Sequence, residues 1–213
     1  IMFKDEVCLT RAVIEGYKTM TRRIPSGRFG YWEKVLDAGD ISKSEFESCI
    51  QLHSLYQEGD IVAVAQRYRD IPEETLHDLF CEAGHCRQEF DTLVRKSPGW
   101  TNKMFVKAEL MPVQIQFTDI KIERLQDISD EDTLREGVRV SNFSSPQNQY
   151  FIDGIKRKGN TLRYKDEQGW HTFKWQTYEK AINCFASLID KVSGKGTWEN
   201  NPWVFSYTFK RIR

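Results

Sequence analysis

The stretch Glu15-Gly16-Tyr17-Lys18-Thr19-Met20-Thr21-Arg22-Arg23-Ile24 places three cationic side chains and two hydroxyls within six consecutive residues. Gly16 is suited to the position just past a helix, because glycine enters the left-handed region without a Cβ penalty. The spacing of Leu9, Ala12, Val13 and Gly16 predicts a helix over about 5–15 that stops there. The chain then turns at Lys18 into an extended run. Thr19, Thr21 and Arg23 alternate in it with Met20 and Arg22, so hydroxyls and charge share a face. Such a face suits contact with an anion or a nucleotide. It equally suits a solvated edge strand whose Lys and Arg guard against aggregation.

The 213 residues suffice for one good core, and one domain with insertions is the preferred division. Hydrophobic content of 39% against 29% charged residues is that of a globular protein, and no apolar run approaches the roughly 18 residues of a membrane span. Membrane partners are therefore not expected. Lys4, Asp5 and Glu6 interrupt the short apolar start, which gives no signal-peptide pattern; Met2 reads as the native start and the location as cytoplasmic. The five cysteines, odd in number and scattered, argue for reduced thiols rather than a disulfide framework. Net charge is zero but uneven. Residues 1–34 carry 7 Lys/Arg against 4 Asp/Glu and residues 151–213 carry 12 against 6, so residues 35–150 hold the remaining 12 basic and 21 acidic residues. If the two ends meet in the fold, one face is cationic.

Working outward, residues 25–58 read as an insertion with turn residues Pro25, Gly27, Gly30 and Gly39, then a helix carrying Phe46, Ile50, Leu52 and Leu55. Gly59-Asp60 precedes Ile61-Val62-Ala63-Val64-Ala65, a β-branched run that predicts a buried strand. Residues 72–97 read as helical and carry His77, Cys81 and His85 on one face. Zinc accepts both ligand types, but one helix rarely closes a tetrahedral site, so no metal is assigned. Pro98-Gly99-Trp100 breaks this helix and Lys103-Met104-Phe105-Val106 follows as a short extended piece. Val113, Ile115 and Phe117 alternate as a strand, and Ile120 and Ile122 continue one residue out of phase, which predicts a bulge near Thr118-Asp119.

Ser129 reads as the N-cap of a short helix over about 130–136 that ends at Gly137, which puts Glu136 in the last turn, where a carboxylate opposes the helix dipole. Residues 141–176 read as another insertion, with a hairpin around Gly159-Asn160. Tyr164, Trp170, Phe173 and Trp175 among its basic residues would stack bases or cover a core. Tyr178, Ile182, Phe185, Ile189 and Val192 give an amphipathic helix. Ser193-Gly194-Lys195-Gly196-Thr197 lacks the order of a phosphate loop and reads as a helix end and turn. Trp203, Phe205, Tyr207 and Phe209 alternate as a C-terminal strand. Short strands without a βαβ rhythm predict an α+β fold, a small mixed β-barrel decorated by helices.

Gly16 to Arg23, Gly59-Asp60, the run Glu123 to Ser129 with Glu136-Gly137, and Asn201-Pro202-Trp203-Val204 together resemble an ASCH domain of the phage- and prophage-associated branch. The resemblance leaves about 25–58, 70–98 and 141–176 as insertions. It implies a PUA-like β-barrel whose cleft takes RNA or a modified nucleotide, with no cofactor. In a small bacterial branch the same fold hydrolyses N4-acylated cytidine with a lysine, a threonine and a glutamate, which fall here on Lys18, Thr21 and Glu136. This chain is about twice as long as members of that branch, so its insertions bear on the cleft. Arg22 and Arg23 would lower the pKa of Lys18 and help it take a proton from Thr21. A binding module would instead hold a phosphate with Lys18, Arg22 and Arg23. Thr21 would donate to it, Thr19 and Lys103 would join the contacts, and Trp100 or Trp203 would stack a base. A protein-interaction role in phage biology, with a protein partner and no nucleotide, is the third expectation.

Overall fold

The computed structural model describes residues 1–25, 29–141, 149–156, 162–166, 169–173 and 175–213. Its elements follow the chain as α1 (Leu9–Ile14), β1 (Met20–Arg23), α2 (Phe29–Asp37), α3 (Lys43–Gln51), β2 (Ile61–Ala63), α4 (Glu73–Glu82), β3 (Gln114–Arg124) and α5 (Asp130–Arg135). Then come β4 (Arg139–Ser141), β5 (Gln149–Lys156), β6 (Leu162–Asp166), β7 (Gly169–Phe173), β8 (Trp175–Tyr178), α6 (Ala181–Ser193), α7 (Thr197–Asn200) and β9 (Trp203–Arg211). This is an α+β architecture with antiparallel sheets. The largest runs β1-β9-β3-β2; β4-β5-β8 and β6-β7 form two smaller ones.

The two ends of the chain do meet. Met20 faces Thr208 and Arg23 faces Phe205, so β1 lies along the C-terminal strand. Among the described residues the four-stranded sheet stays open: β1 and β2 are its edges, not partners. A helix occupies the place next to the start of β1, where Thr19 N–H donates to Arg135 C=O at 2.9 Å at the end of α5. On the other side β3 pairs with β9 and slips register between Phe117 and Asp119. Thr118 is the extra residue, and the out-of-phase alternation in the sequence is this bulge.

The main core lies between this sheet and the elements on its face. Phe117, Phe205, Tyr207 and Phe209 meet Phe185 and Leu188 of α6, Phe46 and Ile50 of α3, and Ile152 of β5. A second cluster gathers Tyr68, Leu76, Phe80, Phe90, Val94 and Met111 within residues 65–111. β9 is buried on both faces, Val204 and Ser206 as well as the aromatic row, because it runs between two neighbours in the sheet and is covered on each side.

Several expectations change. The N-terminal helix is interrupted at Cys8, which adopts φ +52°, so a single turn over Asp5–Val7 precedes α1; Gly16, at φ +83°, ends it as expected. The strand after Gly59-Asp60 is only three residues long, and Ile61 is exposed, because β2 pairs on one side alone. Val64 and Ala65, the buried residues of that run, lie beyond it. Helix α4 stops at Ala83, before Gly84 at φ +82°. His77 and His85 then stack on different rings, Phe90 at 3.7 Å and Phe80 at 4.7 Å, and no group of three or more His, Cys, Asp or Glu among the described residues could hold a metal ion. Lys103–Phe105 is a 3-10 turn rather than extended, because the Asn102 side chain accepts from Met104 N–H and caps it. Leu52 and Leu55 fall past the end of α3 and are exposed. Tyr178 closes β8 instead of opening α6, and Gly194 and Gly196 form the expected turn after that helix. The turn at Gly159-Asn160 lies outside the described residues, as do the side chains of Tyr164, Trp170 and Phe173. No disulfide joins the five cysteines, and no helix of the described residues is long and apolar enough to cross a membrane.

Candidate functional site

The site grows from the junction of α1, β1 and α5. Gly16 turns the chain so that Lys18 enters the interior, and Lys18 N–H donates to Ala12 C=O at 3.0 Å. Ser129 caps α5 by accepting from Asp132 N–H at 3.1 Å, and Gly137, at φ +105°, ends it. Between these two devices Glu136 is carried to within reach of β1.

Lys18 Nζ makes three donations there, to Glu136 Oε2 at 2.6 Å, to Met20 C=O at 2.7 Å and to Glu136 C=O at 2.9 Å. Lys18 is 1% and Glu136 3% exposed. The apparent conflict of a carboxylate in the last turn is thereby resolved. The ammonium neutralises the side chain and also binds an otherwise orphaned carbonyl at the negative end of the helix. Arg22 completes the cluster, with Nη1 3.1 Å from Glu136 Oε1, Nη2 2.6 Å from Glu123 Oε1 and 3.5 Å from Asp132 Oδ2. One guanidinium thus ties β1 to both β3 and α5. Burial pushes the Lys18 ammonium below the ordinary lysine value; Glu136 opposes this, and Arg23 and Arg22 add to the depression. The sequence anticipated the two arginines, but desolvation is the larger cause.

Next to this cluster a cavity of about 550 Å³ opens against β1, lined by Thr21, Arg22, Arg23 and Ile24, by Met2, Phe3, Lys4 and Leu9, and by Leu55, Val192 and Ser193. No aspartate or glutamate is in that lining. Phe3 of the lining touches both groups of charges: its ring centroid is 5.8 Å from Lys18 Nζ and 5.8 Å from the Arg23 guanidinium carbon. Arg23 Nη2 donates to Met2 C=O at 2.8 Å, and Arg23 Nε is buried without a hydrogen bond. An unsatisfied buried donor costs about 1–3 kcal/mol, and more when charged.

Of the expected residues, Lys18, Glu136 and Arg22 meet in one cluster, and Thr21, Arg22 and Arg23 face the cavity. Lys18 and Glu136 are not in its lining, and none of the three Lys18 donations goes to Thr21. Thr19 serves the backbone, receiving Phe209 N–H at 2.9 Å. Lys103 Nζ binds the Phe3 carbonyl and, at 2.8 Å, the Asp5 carboxylate, so it anchors the N-terminal segment. Trp203 is 4% exposed, packed 4.9 Å from Phe46 and under Arg124 at 4.6 Å; Trp100 packs on the second hydrophobic cluster. Neither lines the cavity. Sequence reading missed Met2, Phe3 and Lys4, too short a segment to carry a period, and Glu123 and Asp132, whose role appears only once Arg22 lies beside them.

Comparison with family models, with curated proteins and with solved structures returned no match.

Proposed function

We propose that the chain is an ASCH-type module of the PUA-like superfamily, its barrel opened or remodelled by insertions, that binds RNA or a modified nucleoside in the cavity beside Thr21. The observation that carries this reading is the lining itself. Two hydroxyl residues, Thr21 and Ser193, and three cations, Lys4, Arg22 and Arg23, stand among apolar groups with no carboxylate in the wall. About 550 Å³ also falls within the range of small-ligand sites. An apolar body with a polar or anionic edge fits such a wall. The test is equilibrium binding of nucleosides and short single-stranded RNA at rising ionic strength. RNA affinity falls with salt and Thr21→Val weakens nucleoside binding; an absence of binding at low salt defeats the reading.

A second reading, amide hydrolysis on an N4-acylated cytidine-type nucleoside, draws on one observation, the 2.6 Å contact of Lys18 with Glu136, a glutamate that also binds Arg22 of the cavity wall. Thr21 would attack the acyl carbon as Lys18 takes its proton, the C–N bond would break with Glu136 assisting proton transfer to the departing amine, and water would then cleave the acyl-threonine ester to release the carboxylic acid and restore Thr21. For that Lys18 must give up one of its three donations. N4-acetylcytidine is the probe: release of cytidine, abolished by Thr21→Ala in a folded protein, supports hydrolysis, and no release leaves the cavity as a binding site.

A further inference from the structure

We infer that Arg23 and Lys4 form a phosphate subsite at the mouth of the cavity, so that the ligand is a phosphorylated nucleotide rather than a free nucleoside. This rests on the nucleoside-binding reading and adds to it the chemical class of the ligand's charged end. The sequence pointed to Lys18, Arg22 and Arg23 as the phosphate contacts, but two of those charges are already matched. Lys18 is consumed by Glu136, and Arg22 by Glu123, Glu136 and Asp132. An anion approaching either would compete with carboxylates at 2.6–3.5 Å.

Arg23 and Lys4 differ. Among the described residues neither has a carboxylate partner within ion-pair distance, and both line the same cavity. Arg23 holds Met2 C=O with Nη2, which fixes the plane of the guanidinium, while its buried Nε lacks an acceptor. Lys4 Nζ donates to Lys191 C=O at 2.9 Å, near the C-terminal end of α6, and keeps two further N–H groups. That contact offsets the negative helix end, which would otherwise repel an anion beside Val192 and Ser193. A fixed arginine fork and a lysine point charge are the usual division of labour in phosphate recognition. Thr21, deeper along the strand, is then left for the sugar or base.

The experiment is calorimetric titration of the whole chain with each of the four ribonucleosides, their 5′-monophosphates, and short oligoribonucleotides with and without a terminal phosphate. The subsite predicts that a monophosphate binds about tenfold or more tighter than its nucleoside at low salt, and that Arg23→Gln and Lys4→Gln each bring this ratio of monophosphate to nucleoside affinity down toward one. Arg23→Lys keeps part of the advantage. Circular dichroism and thermal melting establish that each variant is folded; Lys4→Gln, at a half-buried position, stands as the independent test if Arg23→Gln does not fold. An oligonucleotide without a terminal phosphate that matches the monophosphate supports the subsite with a phosphodiester as its source. Equal affinity for nucleoside and monophosphate overturns the subsite and leaves the nucleoside site standing. Binding of neither overturns both.

Discussion

Lys18 Nζ and Glu136 Oε2 lie 2.6 Å apart across 118 residues of sequence, both withdrawn from solvent, and the ammonium also binds the glutamate's own carbonyl. A buried pair of this kind is costly to break, because removal of one partner strands the other's charge in the interior. Glu136→Leu therefore lowers stability by about 3–5 kcal/mol, since it deprives both Lys18 and Arg22. The double variant Lys18→Met with Glu136→Leu recovers much of that loss. Urea denaturation of the cycle measures it; a Glu136→Leu variant as stable as the wild type contradicts the pairing.

The pH dependence has a definite sign. Desolvation holds the folded pKa of Lys18 below the ordinary 10.5, so between the two values the unfolded chain binds more protons than the folded one. The contribution of Lys18 to stability then rises with pH through that window, levelling near 10.5. Comparison of the wild type with Lys18→Met by denaturation across alkaline pH reads this directly. A difference that shrinks as pH rises runs against it.

Arg22 is the tie between β1, β3 and α5, through Glu123, Asp132 and Glu136. Because Glu123 and Asp132 keep some exposure, Arg22→Leu costs about 2–3 kcal/mol, between the values for surface and buried pairs. Hydrogen exchange is expected to accelerate in α5 together with β1. Acceleration confined to β1 would show that the arginine does not bridge them.

Gly154 of β5 stands at φ +91°, and a Cβ there would sit 2.5 Å from Glu6 C=O and 2.8 Å from Val7 Cα. Both the conformation and the space exclude a side chain, so Gly154→Ala destabilises by about 1–3 kcal/mol or more. Glu6 and Val7 follow Met2, Phe3 and Lys4, which wall the cavity, with only Asp5 between. The variant is therefore expected to bind nucleotide more weakly as well as melt earlier; unchanged affinity would mean that β5 does not position that wall.

The elements that the sequence determined by itself are those whose signals are local. The bulge at Thr118 follows from a slip in alternation, α5 from Ser129 and Gly137, α6 from its apolar period, and the stop at Gly16 from the one residue type at ease with positive φ. The α+β class, and Lys18, Thr21, Arg22, Arg23 and Glu136 as the residues to watch, follow from the same local chemistry. Only the tertiary structure decided how they are used. Alternation says that Thr21 and Arg22 point to opposite sides of a strand; it does not say that Glu123, Asp132 and Glu136 wait for the Arg22 guanidinium, or that one cavity opens against Thr21, Arg22 and Arg23 alike. Nor could it show that Trp203 is spent in the core against Phe46, or that three residues at the N-terminal end, too few to carry a period, close the cavity over Arg23. Charge is written in the sequence, but whether a charge is free to meet a ligand depends on which partners, distant in the chain, desolvation forces it to find.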